Sequence, residues 1–148
     1  MFHIVIEQTV EYEKRMKYDP RTDSFVETAD QSLFFVRGCP FPYGWLKESG
    51  TPPDPHLDAI LVSSQVYQLG NEEAVRIIGC FARGDGDHKL VCVPQERREM
   101  DLADLSQGER ASLFRLYPRV LEEQGEGWFG AELAKEIVDR FLTSRGER

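Results

Sequence analysis

The sequence has few cysteines and no long apolar run. Its three cysteines (Cys39, Cys80 and Cys92) are odd in number and none belongs to a C-x-x-C pair, so neither a disulfide framework nor a cysteine-based zinc site is indicated. Cys80 and Cys92 lie inside apolar segments, where cysteine usually serves as a small buried hydrophobic residue. No run approaches the roughly 18 apolar residues of a membrane span, and the N-terminus lacks the pattern of a signal peptide. We therefore expect a cytoplasmic protein that does not enter membranes.

The sequence also lacks an excess of basic residues. Eighteen Lys and Arg stand against 26 Asp and Glu, a net charge of −8. General nucleic-acid binding depends on basic surface, so the composition disfavours it, although a local cluster of cations stays open. The G-x-G-x-x-G, P-loop and G-x-S-x-G motifs are absent as well.

Short β-rich segments fill the first two-thirds of the chain. Apolar and β-branched runs predict strands at residues 2–7, 32–38, 57–64, 74–82 and 89–94. The last two flank a glycine-rich turn and predict a hairpin. Residues 18–24 predict a turn, and the three prolines of residues 47–55 predict a loop.

The last third changes to helical spacing. Ser106 with Glu109 fits a capping box, and Pro118 should kink or end the helix that follows. Residues 125–128 predict a loop before a second helix. The apolar positions at helical spacing are Leu113, Leu116, Tyr117, Val120 and Leu121, then Ala134, Ile137, Val138 and Phe141. The chain thus reads as one α+β domain over residues 1–148, a small barrel or curved sheet with helices packed on it.

Four polar clusters could carry chemistry: K-Y-D-P-R from Lys17, P-Y-G-W around Tyr43, D-P-H-L-D ending at Asp58, and D-G-D-H-K ending at Lys89. Aspartate oxygens suit Mg²⁺ or Mn²⁺, and Lys or Arg side chains pair with phosphate. The residues in question are Asp54, Asp58, Asp85 and Asp87 for metal, Lys17, Lys89 and Arg15 for phosphate, and Tyr43 and Tyr117 as hydrogen-bond donors. His56 and His88 lie close to aspartates in the sequence, but their spacing matches no zinc pattern.

In these segments the sequence resembles the soluble family I inorganic pyrophosphatases. The stretches that carry the resemblance, in order along nearly the whole chain, are M-K-Y-D-P-R-T, P-F-P-Y-G-W-L, P-P-D-P-H-L-D-A-I-L-V, R-I-I-G-C-F-A-R-G-D-G-D-H-K-L-V-C-V-P and L-F-R-L-Y-P-R-V-L-E-E-Q-G-E-G-W. The resemblance implies a five-stranded OB-like β-barrel with additional strands and two C-terminal helices. It also implies Mg²⁺-dependent hydrolysis of pyrophosphate to two phosphates.

Carried over position by position, the resemblance assigns each candidate a role. Asp58 and Asp54 would be catalytic, and Asp58, Asp85 and Asp87 would bind the metal, which is Mg²⁺ with Mn²⁺ as a substitute. Pyrophosphate or another small phosphoanion would contact Lys17, Tyr43, Lys89 and Tyr117. A homo-oligomer, in bacterial members usually a hexamer, is also implied.

The sequence departs from the family pattern at several of these places. Pro53 and Pro55 fall where the family has two aspartates, and Pro118 falls where it has a lysine. The turn holding Asp85 and Asp87 is three residues shorter than the family's. Two functions therefore stay open: a pyrophosphatase of weak or altered activity, or a catalytically inactive binding or subunit protein with the same fold.

Overall fold

Eight strands and three α-helices make up the structure, a computed structural model that describes residues 1–146. The expected domain end at residue 148 lies outside the described residues. The strands are β1 (Phe2–Gln8), β2 (Lys14–Asp19), β3 (Ser24–Gln31), β4 (Tyr43–Leu46), β5 (Asp58–Leu61), β6 (Glu72–Ala82), β7 (Lys89–Pro94) and β8 (Gly127–Gly130). The helices are α1 (Leu33–Arg37), α2 (Gln107–Phe114) and α3 (Ala131–Gly146). The α+β prediction is confirmed.

Five strands close into a barrel. Strand β1 pairs with both β4 and β6, so the hydrogen-bonded order β1-β4-β5-β7-β6 returns to β1. Strands β5 and β7 run parallel, and the other pairs of the ring run antiparallel. Strand β8 extends the sheet beside β6, while β2 and β3 form a separate hairpin. The predicted OB-like barrel with additional strands is therefore confirmed.

Strands β5 and β7 are apolar after their first residue because both of their faces are covered. In β7, Leu90 and Cys92 pack into one core with α3, while Val91 and Val93 pack into a second core that includes α2. Strand β5 alternates in the same way. Continuous apolar runs are expected of strands buried on both sides, and they leave polar side chains to gather at the strand ends.

Two local predictions are wrong. Residues 32–38 form a helix, α1, rather than a strand: Gly38 ends it in the left-handed conformation at φ 67°, and its backbone N–H bonds the carbonyl of Phe35. Residues 125–128 are not all loop, because Gly127 and Trp128 open β8 and pair with Ala82 and Phe81.

The two C-terminal helices are confirmed. Helix α2 begins with the predicted capping box of Ser106 and Glu109 and ends at Phe114, before Pro118. Helix α3 places Ala134 and Val138 in the first core. Within residues 1–146, no helix combines the length and apolar character needed to cross a membrane.

Candidate active site

The parallel pairing of β5 and β7 brings the two most closely associated polar residues of the site together. Asp58 opens β5 and is the register partner of Lys89, which opens β7. The Lys89 ammonium lies 2.7 Å from Asp58 Oδ2, 3.1 Å from Asp87 Oδ2 and 3.3 Å from the Tyr43 hydroxyl. Because the Lys89 side chain is only 8% exposed, this is a buried cation with three polar partners.

Burial and charge act against each other at this pair. Burial alone would raise the pKa of Asp58, but the His56 hydrogen bond and the Lys89 ammonium hold it well below its usual range. Burial alone would lower the pKa of Lys89, but Asp58 and Asp87 raise it overall. Both groups therefore stay charged at neutral pH, as a buried pair must if neither is to lack a partner.

His56 holds the other oxygen of Asp58. Its Nε2 lies 3.0 Å from Asp58 Oδ1, and its Nδ1 lies 2.8 Å from the backbone carbonyl of Asp54. Both ring nitrogens thus face acceptors, an arrangement that favours the imidazolium form. The hydrogen bond to Asp58 is the main cause that raises the pKa of His56.

A cleft of about 210 Å³ opens beside the Asp58–Lys89 pair. Three acids and three cations line it: Glu7, Asp58 and Asp87 with Arg15, Arg83 and Lys89. Tyr43 and Tyr117 also line it. Burial raises the pKa of both tyrosines, so both remain hydrogen-bond donors. Five of the predicted site residues therefore meet at one cleft, and the phosphate candidate Arg15 lies there as well.

The shortened turn separates its two aspartates. Gly86, in the middle, has φ 83°, a value that glycine adopts without strain. Asp85 accepts hydrogen bonds from the Asp87 backbone N–H at 3.0 Å and from Arg83 at 3.0 Å, and it does not line the cleft. Asp87 turns instead toward Lys89. Of the two acids, Asp87 therefore lines the cleft and Asp85 does not.

Two further predicted residues lie away from the cleft. Lys17 is exposed on β2, and Asp54 is exposed in the loop before β5, where its carbonyl contacts His56. Across residues 1–146, no three His, Cys, Asp or Glu side chains form a group that could hold a metal ion. The roles assigned to all of the site residues, including Lys17, Asp54 and Asp85, stay predictions.

Sequence reasoning missed Glu7 and Arg83. Glu7 is 8% exposed at the end of β1; burial raises its pKa, and the nearby Asp58 adds to the effect. A carboxylate directly after the apolar run F-H-I-V-I was a readable signal, because a buried acid needs a reason. Arg83 follows β6 and contacts Asp85, and nothing in its local sequence distinguishes it from a solvated arginine.

A family model and a curated relative both point to the inorganic pyrophosphatases. The family model described as inorganic pyrophosphatase matches residues 4–144. An inorganic pyrophosphatase of Malacoplasma penetrans is 27% identical over 112 residues, which are 71% of this chain and 61% of that protein's length.

Solved structures resemble the fold over most of its length. The inorganic pyrophosphatase of Neisseria gonorrhoeae superposes with a TM-score of 0.67 at 24% identity, covering 95% of this chain and 90% of that one. The inorganic pyrophosphatase of Thermus thermophilus gives a TM-score of 0.68 at 21% identity, covering 99% and 91%. At these identities the likeness establishes the fold.

Proposed function

The chain belongs to the inorganic pyrophosphatase family, and from that premise we propose that its cleft binds pyrophosphate and hydrolyses it to two phosphates. The observation that carries the proposal is the buried Lys89 ammonium, held between Asp58, Asp87 and Tyr43 beside a cleft that also contains two arginines. A low-dielectric wall strengthens the attraction of such a cation for a phosphoanion. Another small phosphoanion would fit the same chemistry, so pyrophosphate is singled out by the family.

Each side chain of the cleft has a role in this proposal. Tyr43 and Tyr117 would donate hydrogen bonds to phosphate oxygens, and Lys89 would attract the phosphate through its charge, with Lys17 approaching from the β2–β3 hairpin. Asp58 has a depressed pKa and is a weak base, whereas Glu7 has a raised pKa and is the better proton acceptor for an attacking water. Asp54 would contribute only by turning its exposed carboxylate toward the cleft.

Family membership implies a divalent metal, and the finer proposal is Mg²⁺, or Mn²⁺ in its place, on Asp58, Asp85 and Asp87. Their oxygens have the right chemistry, but their arrangement does not suit the ion. Lys89 contacts both Asp58 and Asp87, and Asp85 is bonded to Arg83 outside the cleft. The described side chains therefore do not fit a preformed magnesium site, and the roles given to Lys89, Tyr43, Tyr117 and Glu7 involve no metal.

Phosphate release from pyrophosphate tests the proposal. The native chain should release phosphate above the level of an Asp58→Asn variant, whose rate should fall by about 10²-fold or more because a buried charge at the site is lost. Asp139→Asn, an exposed change on α3, is the matched control and should leave the rate unchanged. Runs with Mg²⁺, with Mn²⁺ and with a chelator separate the metal contribution. A native rate no higher than that of Asp58→Asn in all three would refute hydrolysis.

A second function is favoured by one observation, the double engagement of Asp58. Both oxygens of Asp58 are already engaged, one by His56 and the other by Lys89, so a metal or a water at Asp58 would have to share or displace these contacts. The chain would then bind pyrophosphate without turnover, as a binding or subunit protein. Calorimetric binding of pyrophosphate with no phosphate release is its expected signature.

Assembly and location belong to the same proposal. We expect the whole chain to act as one domain in the cytoplasm, as a homo-oligomer for which the family resemblance implies a hexamer as the first candidate. Light scattering coupled to size-exclusion chromatography tests the oligomer, and a purely monomeric elution would contradict it.

A further inference from the structure

Two of the residues that line the cleft are arginines, and the proposed function has assigned neither of them a contact with the substrate. Arg15 lies on β2 of the separate hairpin, and Arg83 follows β6 of the barrel. They come from different sheets and meet at one cavity of about 210 Å³. Their position favours a ligand that guanidinium groups recognise.

Counting hydrogen-bond donors separates these arginines from Lys89. An ammonium group has three N–H donors, and Lys89 already faces three oxygens, those of Asp58, Asp87 and Tyr43. Lys89 therefore supplies charge to the cleft but has no N–H to spare unless a partner leaves.

The arginines do have donors to spare. Arg83 places Nη2 3.0 Å from Asp85 Oδ2 and Nη1 3.8 Å from Asp87 Oδ2, which leaves most of its five N–H groups without a close acceptor. The backbone carbonyl of Arg15 accepts from Thr28, while its guanidinium makes no hydrogen bond or ion pair within residues 1–146.

The charge balance of the cleft points the same way. Its lining carries three cations and three acids, in a chain where acids outnumber cations by 26 to 18. The cleft thus has as many cations as acids, whereas the chain as a whole has an excess of acids. Two of these cations are guanidinium groups, whose planar fork matches a pair of phosphate oxygens. A ligand with two linked phosphates would offer one such pair to each arginine.

We infer that the cleft recognises a diphosphate group through Arg15 and Arg83 without a divalent cation. The inference rests on the proposed function for the identity of the ligand, and it adds a mechanism of recognition to that function. The two arginines supply the positive charge that a metal ion held by the carboxylates would otherwise supply. It follows that a diphosphate binds more tightly than a monophosphate, and that a chelator does not abolish binding.

Isothermal titration calorimetry with methylene diphosphonate, which cannot be hydrolysed, tests the inference on the full chain. Titrations run in a chelator and again in Mg²⁺, with inorganic phosphate as the comparison ligand. Arg15→Gln and Arg83→Gln should each weaken binding in the chelator by about tenfold to a hundredfold, the range expected when one charge-assisted contact is lost. Arg83→Lys should fall between native and Arg83→Gln, because it keeps the charge and loses the fork.

Arg140→Gln is the matched control, since Arg140 is an exposed arginine on α3 paired with Glu136. It should bind as the native chain does. Thermal melting of each variant checks the fold, and Arg83→Lys serves where Arg83→Gln is poorly folded. Absence of binding in the chelator, or native affinity in both Arg15→Gln and Arg83→Gln, overturns the inference. Binding in the chelator with no phosphate release in any metal would support the inference and refute hydrolysis, so the two proposals fail separately.

Discussion

At the residue scale, the chemistry of the cleft depends on how Lys89 is neutralised. Replacing it by methionine in Lys89→Met leaves Asp58 buried without its ammonium partner, while the hydrogen bond from His56 remains. Breaking a buried pair by removing one member costs about 3 kcal/mol of unfolding free energy or more. Adding Asp58→Asn removes the unpaired charge, so the double variant should be more stable than Lys89→Met alone. Urea unfolding of the four proteins in this cycle measures the coupling. Strict additivity of the two single effects would contradict the pairing.

His56 makes the unfolding free energy depend on pH. Its hydrogen bond to Asp58 raises its pKa above 6.5, so it stabilises the fold fully below about pH 6.5, and this stabilisation is lost as pH rises through the folded pKa. The difference in unfolding free energy between the native chain and His56→Gln should therefore be largest at mildly acid pH and shrink toward alkaline pH. Denaturant unfolding at several pH values measures it. A difference that grows with pH would show that His56 is not held by Asp58.

At the element scale, the pairing of β1 with β4 positions Tyr43 and depends on Gly44. A Cβ at Gly44 would lie 1.7 Å from the carbonyl oxygen of Val5, and backbone cannot yield without opening the pairing. Gly44→Ala should therefore cost more than about 2 kcal/mol of unfolding free energy. Gly108→Ala is the control: nothing lies within 4 Å of its added methyl group, and alanine in helix α2 should add about 0.5–1 kcal/mol. Chemical denaturation compares the two, and a Gly44→Ala protein of native stability would contradict the register.

The elements also show how far the sequence predicts the structure. Strands β1, β6 and β7 and both C-terminal helices follow from period, turn chemistry and the Ser106 cap. Residues 32–38 do not, because four consecutive apolar residues fit a strand or a helix equally and the ending at Gly38 decides. Strand β8 forms by pairing with β6. This is a tertiary contact that the local sequence pattern does not predict.

The site likewise has features that the sequence predicts and features that it does not. The meeting of Asp58 and Lys89 depends on β5 and β7 being parallel neighbours, which the family resemblance implies and residue types alone do not. Arg15 reaches the cleft and Lys17 does not, beside a register shift between Lys14 and Met16 that cannot be read from the sequence. The single residue between Asp85 and Asp87, Gly86, shows in the sequence that the turn is short. It does not show that the two carboxylates point in different directions.

At the scale of the whole molecule, the two cores share the barrel strands, and the three cysteines report on both. Cys39 belongs to the core beside α2, while Cys80 and Cys92 belong to the core beside α3. Burial raises the pKa of Cys39 to about 11 and that of the other two to about 12, so the native protein should not react with a thiol reagent at mildly alkaline pH, where a thiolate is required. Because β5 and β7 contribute to both cores, unfolding should expose all three thiols together. Labelling at increasing denaturant, read by mass spectrometry for each cysteine, should give three coincident transitions. Labelling of Cys39 well before Cys80 and Cys92 would show that the α2 side opens on its own and that the shared strands do not couple the two cores.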